Sequence, residues 1–274
     1  MDLIEILKAI FLGIVEGITE WLPISSTGHM LLVDEFLTLN MSDSFKEMFF
    51  VVIQLGAILA VVVFFRKKMI PIQLEDRSKP LIKMDTISMW LKVVVACIPG
   101  AIVTLLFDDY IEAHLHTAPV IAAMLIVYGV AFIVIETWNK HQVPTVPRLE
   151  DITYRTAFII GLFQVLSIIP GTSRSGATIV GALLIGVSRV AAAEFTFFLA
   201  VPVMFGLSAI KLLKFGFSFT GAELLVLGAG TLVAFLTSVV VIKFLMGYIR
   251  KHDFKVFGWY RIALGVIVLL VTLL

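Results

Sequence analysis

The chain is poor in the groups that equip a soluble protein. Charged residues are only 15% of its 274 positions, whereas soluble domains carry about 25%. A formal net charge of +1 offers no broad basic surface to nucleic acid. The single cysteine, Cys97, rules out an intrachain disulfide and a thiolate metal cluster. Collagenous, disordered and disulfide-rich secreted classes are thereby excluded. What fills the space is apolar: 60% of residues are hydrophobic, and mean hydropathy is +1.06. Long continuous apolar runs replace the polar–apolar alternation of a membrane β-barrel. The class is an all-α polytopic membrane protein.

The first residues resemble a signal peptide only superficially. Asp2 and Glu5 precede Lys8, and Glu16 and Glu20 interrupt the apolar stretch, so the segment is expected to belong to the mature protein. A bilayer core needs roughly 20 apolar residues per helix, and six stretches qualify: 46–65, 88–107, 118–138, 190–213, 222–246 and 257–274. Two further apolar regions, 3–39 and 155–187, are each broken by a polar cluster. The clusters are Pro23-Ile24-Ser25-Ser26-Thr27-Gly28-His29 and Pro170-Gly171-Thr172-Ser173-Arg174-Ser175-Gly176. Proline and glycine end one helix and Ser or Thr caps the next, so each region predicts a re-entrant helical hairpin. Such backbone is tolerated at membrane depth only where protein or water surrounds it.

Lys and Arg concentrate in alternate loops. Arg66, Lys67, Lys68, Arg77, Lys79 and Lys83 occupy one, Lys140, Arg148 and Arg155 a second, and Arg250, Lys251 and Lys255 a third. Those loops should be cytoplasmic. The first hairpin then opens to the outside and the second to the cytoplasm. An internal repeat runs at an offset near 148: Gly13-x-x-Glu16 falls on Gly161-x-x-Gln164, and Ser25-Ser26-Thr27-Gly28 on Ser173-Arg174-Ser175-Gly176. Each repeat, approximately 1–138 and 151–274, holds one hairpin and three spans. Three is odd, so the halves are inverted. A single integral membrane domain, 1–274, should therefore bring its two breaks together near the bilayer midplane.

Converging breaks make an anion site. Helices beginning after Ser25 and Ser173 aim free N–H groups and positive dipole ends at one place. Ser25, Ser26, Thr27, Thr172, Ser173, Ser175 and Thr178 add hydroxyls there, Gly28, Gly171 and Gly176 admit close backbone approach, and Arg174 supplies a fork suited to phosphate oxygens. Glu16 and Glu20 share a helix face four residues apart. A charge at the bilayer centre costs ~2.5–3.5 kcal/mol. The pair must therefore bind Arg174, hold a divalent cation, act as acid and base, or face water. His29, one turn after Ser26, is a candidate base or nucleophile. Gln54 is a candidate lining residue, and Glu194 is another polar group in an apolar span. Gly13-x-x-x-Gly17 fits a helix-packing pattern that would allow a homodimer. His114 and His116, beside Asp108, Asp109 and Glu112, read as a solvated outer loop.

In its Glu16-x-x-x-Glu20-Trp-Leu-Pro-Ile-Ser-Ser-Thr-Gly-His29 and Pro170-Gly-Thr-Ser-Arg-Ser-Gly-Ala-Thr178 motifs, the chain resembles the bacterial undecaprenyl-pyrophosphate phosphatases of the bacitracin-resistance type. The resemblance implies hydrolysis of undecaprenyl pyrophosphate to undecaprenyl phosphate, the lipid carrier of cell-wall precursors. That activity is expected in the plasma (inner) membrane, and the loop charges turn the site to the extracytoplasmic side. It also implies a glutamate motif at Glu16 and Glu20, Ser26 with His29, a phosphate-binding Arg174, and a divalent cation (Mg or Ca), which would sit on Glu16 and Glu20. Three routes stay open: attack by Ser26, attack by His29, and direct attack by water. In the first, Glu20 or His29 takes the proton. Acid-phosphatase-like lipid phosphatases share a Ser-x-Gly-His, but their Arg-Pro pair occurs nowhere in this chain. A transporter or flippase of a polyprenyl phosphate or another anion is the alternative from a different class.

Overall fold

A computed structural model describes residues 3–73 and 80–273. Arg77 and Lys79 of the first basic loop, and the side chains of Asp108, Asp109 and Glu112, lie outside the described residues. The described chain is helical apart from short connections, which hold two isolated β-bridges. In order, the helices are α1 (Leu3–Thr19), α2 (Ser26–Phe36), α3 (Asp43–Phe64), α4 (Arg66–Met69), α5 (Met84–Leu115) and α6 (Ala118–Trp138), then α7 (Tyr154–Val165), α8 (Arg174–Leu184), α9 (Arg189–Phe215), α10 (Gly221–Ile249) and α11 (Lys255–Leu273). Among them, 6 are long and apolar enough to cross a membrane, and they are the six stretches read from the sequence. The protein is a multi-pass membrane protein.

Helix starts follow local chemistry. Ser42, Thr153, Ser188 and Thr220 each accept a hydrogen bond from the backbone N–H three residues on. These caps satisfy donors that have no partner within the helix. One boundary differs from expectation: α5 has 32 residues and carries on past position 107 to Leu115. At ~1.5 Å per residue it is about 48 Å long, well beyond a hydrocarbon core of ~30 Å. No proline or glycine follows Gly100 within it, so nothing stops the helix at the membrane edge. The expected outer loop is therefore mostly helix, and the His114 ring bonds the Tyr110 carbonyl of its own helix at 2.9 Å.

Helices pair through small residues. At the α6–α11 crossing, Gly129 and Gly258 face each other: a Cβ on either would lie 2.7 Å from the other's carbonyl oxygen. Gly13 and Gly17 abut Gly230, Ala234 and Thr237 of α10 within this one chain. The pattern read as a dimer face is thus used internally. Large apolar side chains such as Leu59, Leu105 and Leu236 face outward, as lipid-facing residues do.

Two ion pairs close opposite ends of the α3–α9 pair. The Lys68 ammonium donates to both oxygens of Glu194 at 2.8 Å, and Lys211 lies 3.5 Å from Glu47. Glu194 is consequently bound at the end of the bundle rather than at the breaks. The Arg189 guanidinium grips Glu136, which also accepts the Phe254 N–H at 3.0 Å. A cavity of 450 Å³ at the same end is lined by Lys68, Lys83, Lys92 and Glu150. The three basic loops therefore gather at one end of the molecule.

Candidate functional site

The first break runs from Glu20 to Ser25, between α1 and α2. The second follows a short 3-10 turn, Leu166–Ile168, and ends at Ser173, before α8. Each break closes on a serine in a conformation that L-residues resist: φ is 73° at Ser25 and 70° at Ser173. These are the only positive-φ residues other than glycine among those described. The strain, of order 1–3 kcal/mol each, turns the chain sharply into the next helix. Each serine hydroxyl then caps that helix, accepting from Gly28 N at 3.3 Å and Gly176 N at 3.2 Å. The two breaks share one geometry at the offset read from the sequence.

They also touch. The Arg174 guanidinium donates to Glu20 Oε1 at 3.1 Å, and the Ser26 hydroxyl donates to Glu20 Oε2 at 3.2 Å. Ser175 Oγ donates to the Glu20 backbone carbonyl at 3.3 Å. A second guanidinium nitrogen of Arg174 holds the Thr196 carbonyl at 3.0 Å, and the Thr196 hydroxyl lies 2.9 Å from that of Thr178. Ser26, Glu20 and Arg174 are thus a contiguous set from two distant parts of the chain. Carboxylate and guanidinium are both nearly buried, which strengthens their interaction relative to a surface pair.

Polar atoms without partners occur on Arg174 itself, on α1 and in the second break. Glu16 Oε1, Thr172 Oγ1 and Arg174 Nε are buried and make no hydrogen bond. Buried polar groups almost always find partners, so the orphaned Nε of Arg174, beside the Glu20 contact, leaves hydrogen-bonding capacity for a polar ligand. Gln164, the repeat counterpart of Glu16, has an orphaned Oε1 as well.

The remaining candidates divide. Ser173 and Ser175 have their hydroxyls 3.1 Å apart, and Thr27 is half-buried at the start of α2. Gly28 packs against Leu125, a Cβ there lying 3.0 Å from its Cδ1, while a Cβ on Gly171 (φ 88°) would sit 2.4 Å from the Ile121 carbonyl. Gly176 faces an arginine: a Cβ there would lie 3.2 Å from the Arg261 guanidinium. Gln54 is half-buried on α3 and, among the described residues, no hydrogen bond joins it to either break. His29 turns away from Ser26: Nδ1 lies 2.7 Å from the Ser25 carbonyl and Nε2 2.7 Å from the Tyr260 hydroxyl.

Arg261 was not singled out from the sequence, and it is the tie between the breaks. Its fully buried guanidinium donates to Pro23 O at 3.2 Å in the first break, and to Gly171 O at 2.9 Å and Thr172 O at 2.8 Å in the second. Longer bonds reach Leu125 and Met124 carbonyls of α6, and the Tyr128 ring lies 5.6 Å away. The signal was available: an arginine inside an apolar span is a functional candidate by default.

Comparison with known proteins adds identity to this geometry. The family model of bacitracin resistance protein BacA matches residues 9–267. A protein of Enterococcus faecalis described as an undecaprenyl-diphosphatase is 74% identical over 272 residues, covering 99% of each chain. One from Desulfitobacterium hafniense with the same description is 65% identical, covering 98% of this chain and 97% of its own. Another, from Streptococcus thermophilus, is 57% identical over 97% of this chain and 93% of its own. The chain belongs to the BacA bacitracin resistance family.

Proposed function

We infer that the chain hydrolyses the membrane lipid undecaprenyl pyrophosphate to undecaprenyl phosphate and inorganic phosphate, so recycling the lipid carrier of cell-wall synthesis. Relatives that span the whole chain carry that activity in their description. The observation that carries the chemistry is the Glu20 carboxylate held between the Ser26 hydroxyl and the Arg174 guanidinium.

The mechanism follows from those contacts. Arg174, with its Nε still unpaired, and the N-termini of α2 and α8 bind the diphosphate and neutralise the charge spread over its oxygens. Ser26 Oγ attacks the terminal phosphorus and passes its proton to Glu20, the carboxylate already within hydrogen-bond reach. The bond from that phosphorus to the bridging oxygen breaks, and undecaprenyl phosphate leaves with the electron pair. Glu20 gives the serine proton to the departing undecaprenyl phosphate and is a carboxylate again. Water then attacks the phosphoserine phosphorus and passes its proton to Glu20, which returns it to Ser26 Oγ as the Oγ–P bond breaks and inorganic phosphate leaves. Glu20 is favoured over His29 as base because both imidazole nitrogens are engaged elsewhere.

A divalent cation fits the same place. Glu16 presents a buried carboxylate oxygen without a partner, one turn before Glu20, and hard oxygen donors suit Mg or Ca. Among the described residues no group of 3 or more His, Cys, Asp or Glu forms a cage. Diphosphate oxygens and water would complete the coordination. Such an ion, when bound, supplies further neutralisation of the diphosphate charge.

The loop charges support a plasma-membrane orientation with the basic end cytoplasmic and the first break reached from outside. The test is phosphate release from a C55 polyprenyl pyrophosphate by protein purified in detergent, with and without chelator. Without compartments, transport has no readout there. Arg174→Lys keeps the charge and loses the planar fork, so most activity should go. Wild-type rates in Arg174→Lys, or no phosphate release by the unmodified protein, would overturn the assignment.

A further inference from the structure

The His29 imidazole makes two short contacts, and in the neutral ring they fix its tautomer. The Ser25 carbonyl can only accept, so the proton of the imidazole sits on Nδ1, 2.7 Å from that oxygen. In the neutral ring Nε2 is then an acceptor, and the Tyr260 hydroxyl at 2.7 Å donates to it. Tyr260 lies on α11 beside Arg261, 231 residues from His29 in sequence. A continuous chain therefore leads from the Tyr260 hydroxyl through the imidazole to the Ser25 carbonyl.

The two breaks differ at this point. At the second, Ala177 stands where the repeat places His29, and its N–H bonds the Ser173 carbonyl at 2.9 Å, as in an ordinary first helical turn. At the first, the corresponding bond from His29 N to Ser25 O is stretched to 3.4 Å. The imidazole supplies the short bond in its place. Ser25 is the residue at φ 73°, and its ψ sets the direction of Ser26, the next residue. The break that carries the hydroxyl nucleophile is thus held by a side-chain relay, where its twin is held by backbone.

We propose that Tyr260 is a positioning residue for this reaction: by donating to His29 Nε2 it holds the ring that clamps the Ser25 carbonyl, and so sets the aim of the Ser26 hydroxyl. The proposal rests on Ser26 being the attacking group. Tyr260 touches no reacting atom and acts only through His29.

Tyr260→Phe keeps the ring and removes one hydroxyl. Its kcat should fall about tenfold, the scale of one lost hydrogen bond to an oriented group, with KM unchanged within about twofold. His29→Ala should cost more. The double variant should be no slower than His29→Ala alone, because relay members act as a unit. A mere packing role for Tyr260 would instead multiply the two losses. A readout independent of activity is the spectrum of protein labelled with ¹⁵N at histidine ring nitrogens, with His29 assigned from a His29→Gln difference. In Tyr260→Phe the acceptor-nitrogen resonance should shift while the proton stays on Nδ1. An unchanged spectrum, an unchanged kcat, or multiplied losses in the double variant would each overturn the relay. If the wild-type protein released no phosphate, the spectrum would still test the Tyr260–His29 bond, separating that failure from failure of the assigned activity.

Discussion

Glu20 and Ser26 face each other across the first break, the hydroxyl donating to the carboxylate at 3.2 Å, while the other carboxylate oxygen is held by Arg174 at 3.1 Å. The guanidinium fixes the rotamer of Glu20 and leaves the oxygen nearest Ser26 as the proton acceptor. In the proposed mechanism, a substrate phosphate that drew Arg174 toward itself would free the carboxylate of its counter-charge as a base is needed. One residue thereby links anion binding to activation of the hydroxyl.

Glu20→Gln retains the shape and removes the basic oxygen. Phosphate release should drop by ~10²–10⁴-fold, the usual worth of a general base, with substrate still bound. Rapid quenching with terminally labelled substrate should trap label on protein as acid-stable phosphoserine, and Ser26→Ala should trap none. Label that survives base and is lost in acid would move the attack to His29, and no covalent label in any quench would favour water.

Arg261→Met should lower the melting temperature in detergent and abolish activity together. It would strip donors from the Pro23, Gly171 and Thr172 carbonyls, and each buried acceptor left unsatisfied costs ~1–3 kcal/mol. Arg261→Lys should lie between, since one ammonium cannot reach both breaks at once. A Met variant that melts and turns over like wild type would remove Arg261 from the architecture of the site.

Ser25 is strained by its backbone and stabilising through its side chain, and substitutions separate the two. Ser25→Ala loses the cap to Gly28, about 1 kcal/mol, and keeps the strain at φ 73°. Ser25→Gly loses the same cap but relaxes the backbone. The glycine variant should melt higher than the alanine variant. The reverse order would show that the positive φ carries little strain.

With Cys97 replaced by alanine, a cysteine at His114 should react with an impermeant thiol reagent added to intact cells, and one at Lys251 should react only after lysis. Reversed labelling would turn the site to the cytoplasm.

Much of this was legible in the sequence because composition and helix punctuation are local signals. Six spans and the helix starts after Ser25 and Ser173 follow from apolar runs and capping residues, while pairing of the glutamates with Arg174 was one of several open readings that the Glu20–Arg174 contact singles out for Glu20. The length of α5 was not legible, since hydropathy marks where a helix leaves the membrane and not where its hydrogen bonds stop. The direction of His29 was missed for another reason. Helical spacing put it on a face with Ser26, but its rotamer is decided by Tyr260, from a helix whose packing partner no spacing rule identifies. Gln54 is a polar residue in an apolar span that is half-buried on α3, and among the described residues no hydrogen bond ties it to the breaks.

Arg261 and Tyr260 lie on the same helix, α11, the last of the described helices in chain order. Ribosomes deliver helices to the membrane in that order. Glu20 and Ser26 are therefore made first, Arg174 next, and Arg261, which ties both breaks, and Tyr260, which holds His29, arrive only with α11. Until then a growing chain holds the reactive groups without the tie that gives them shape. The bonds from Arg261 to both breaks are therefore completed only after both breaks have been made, when α11 packs against α6.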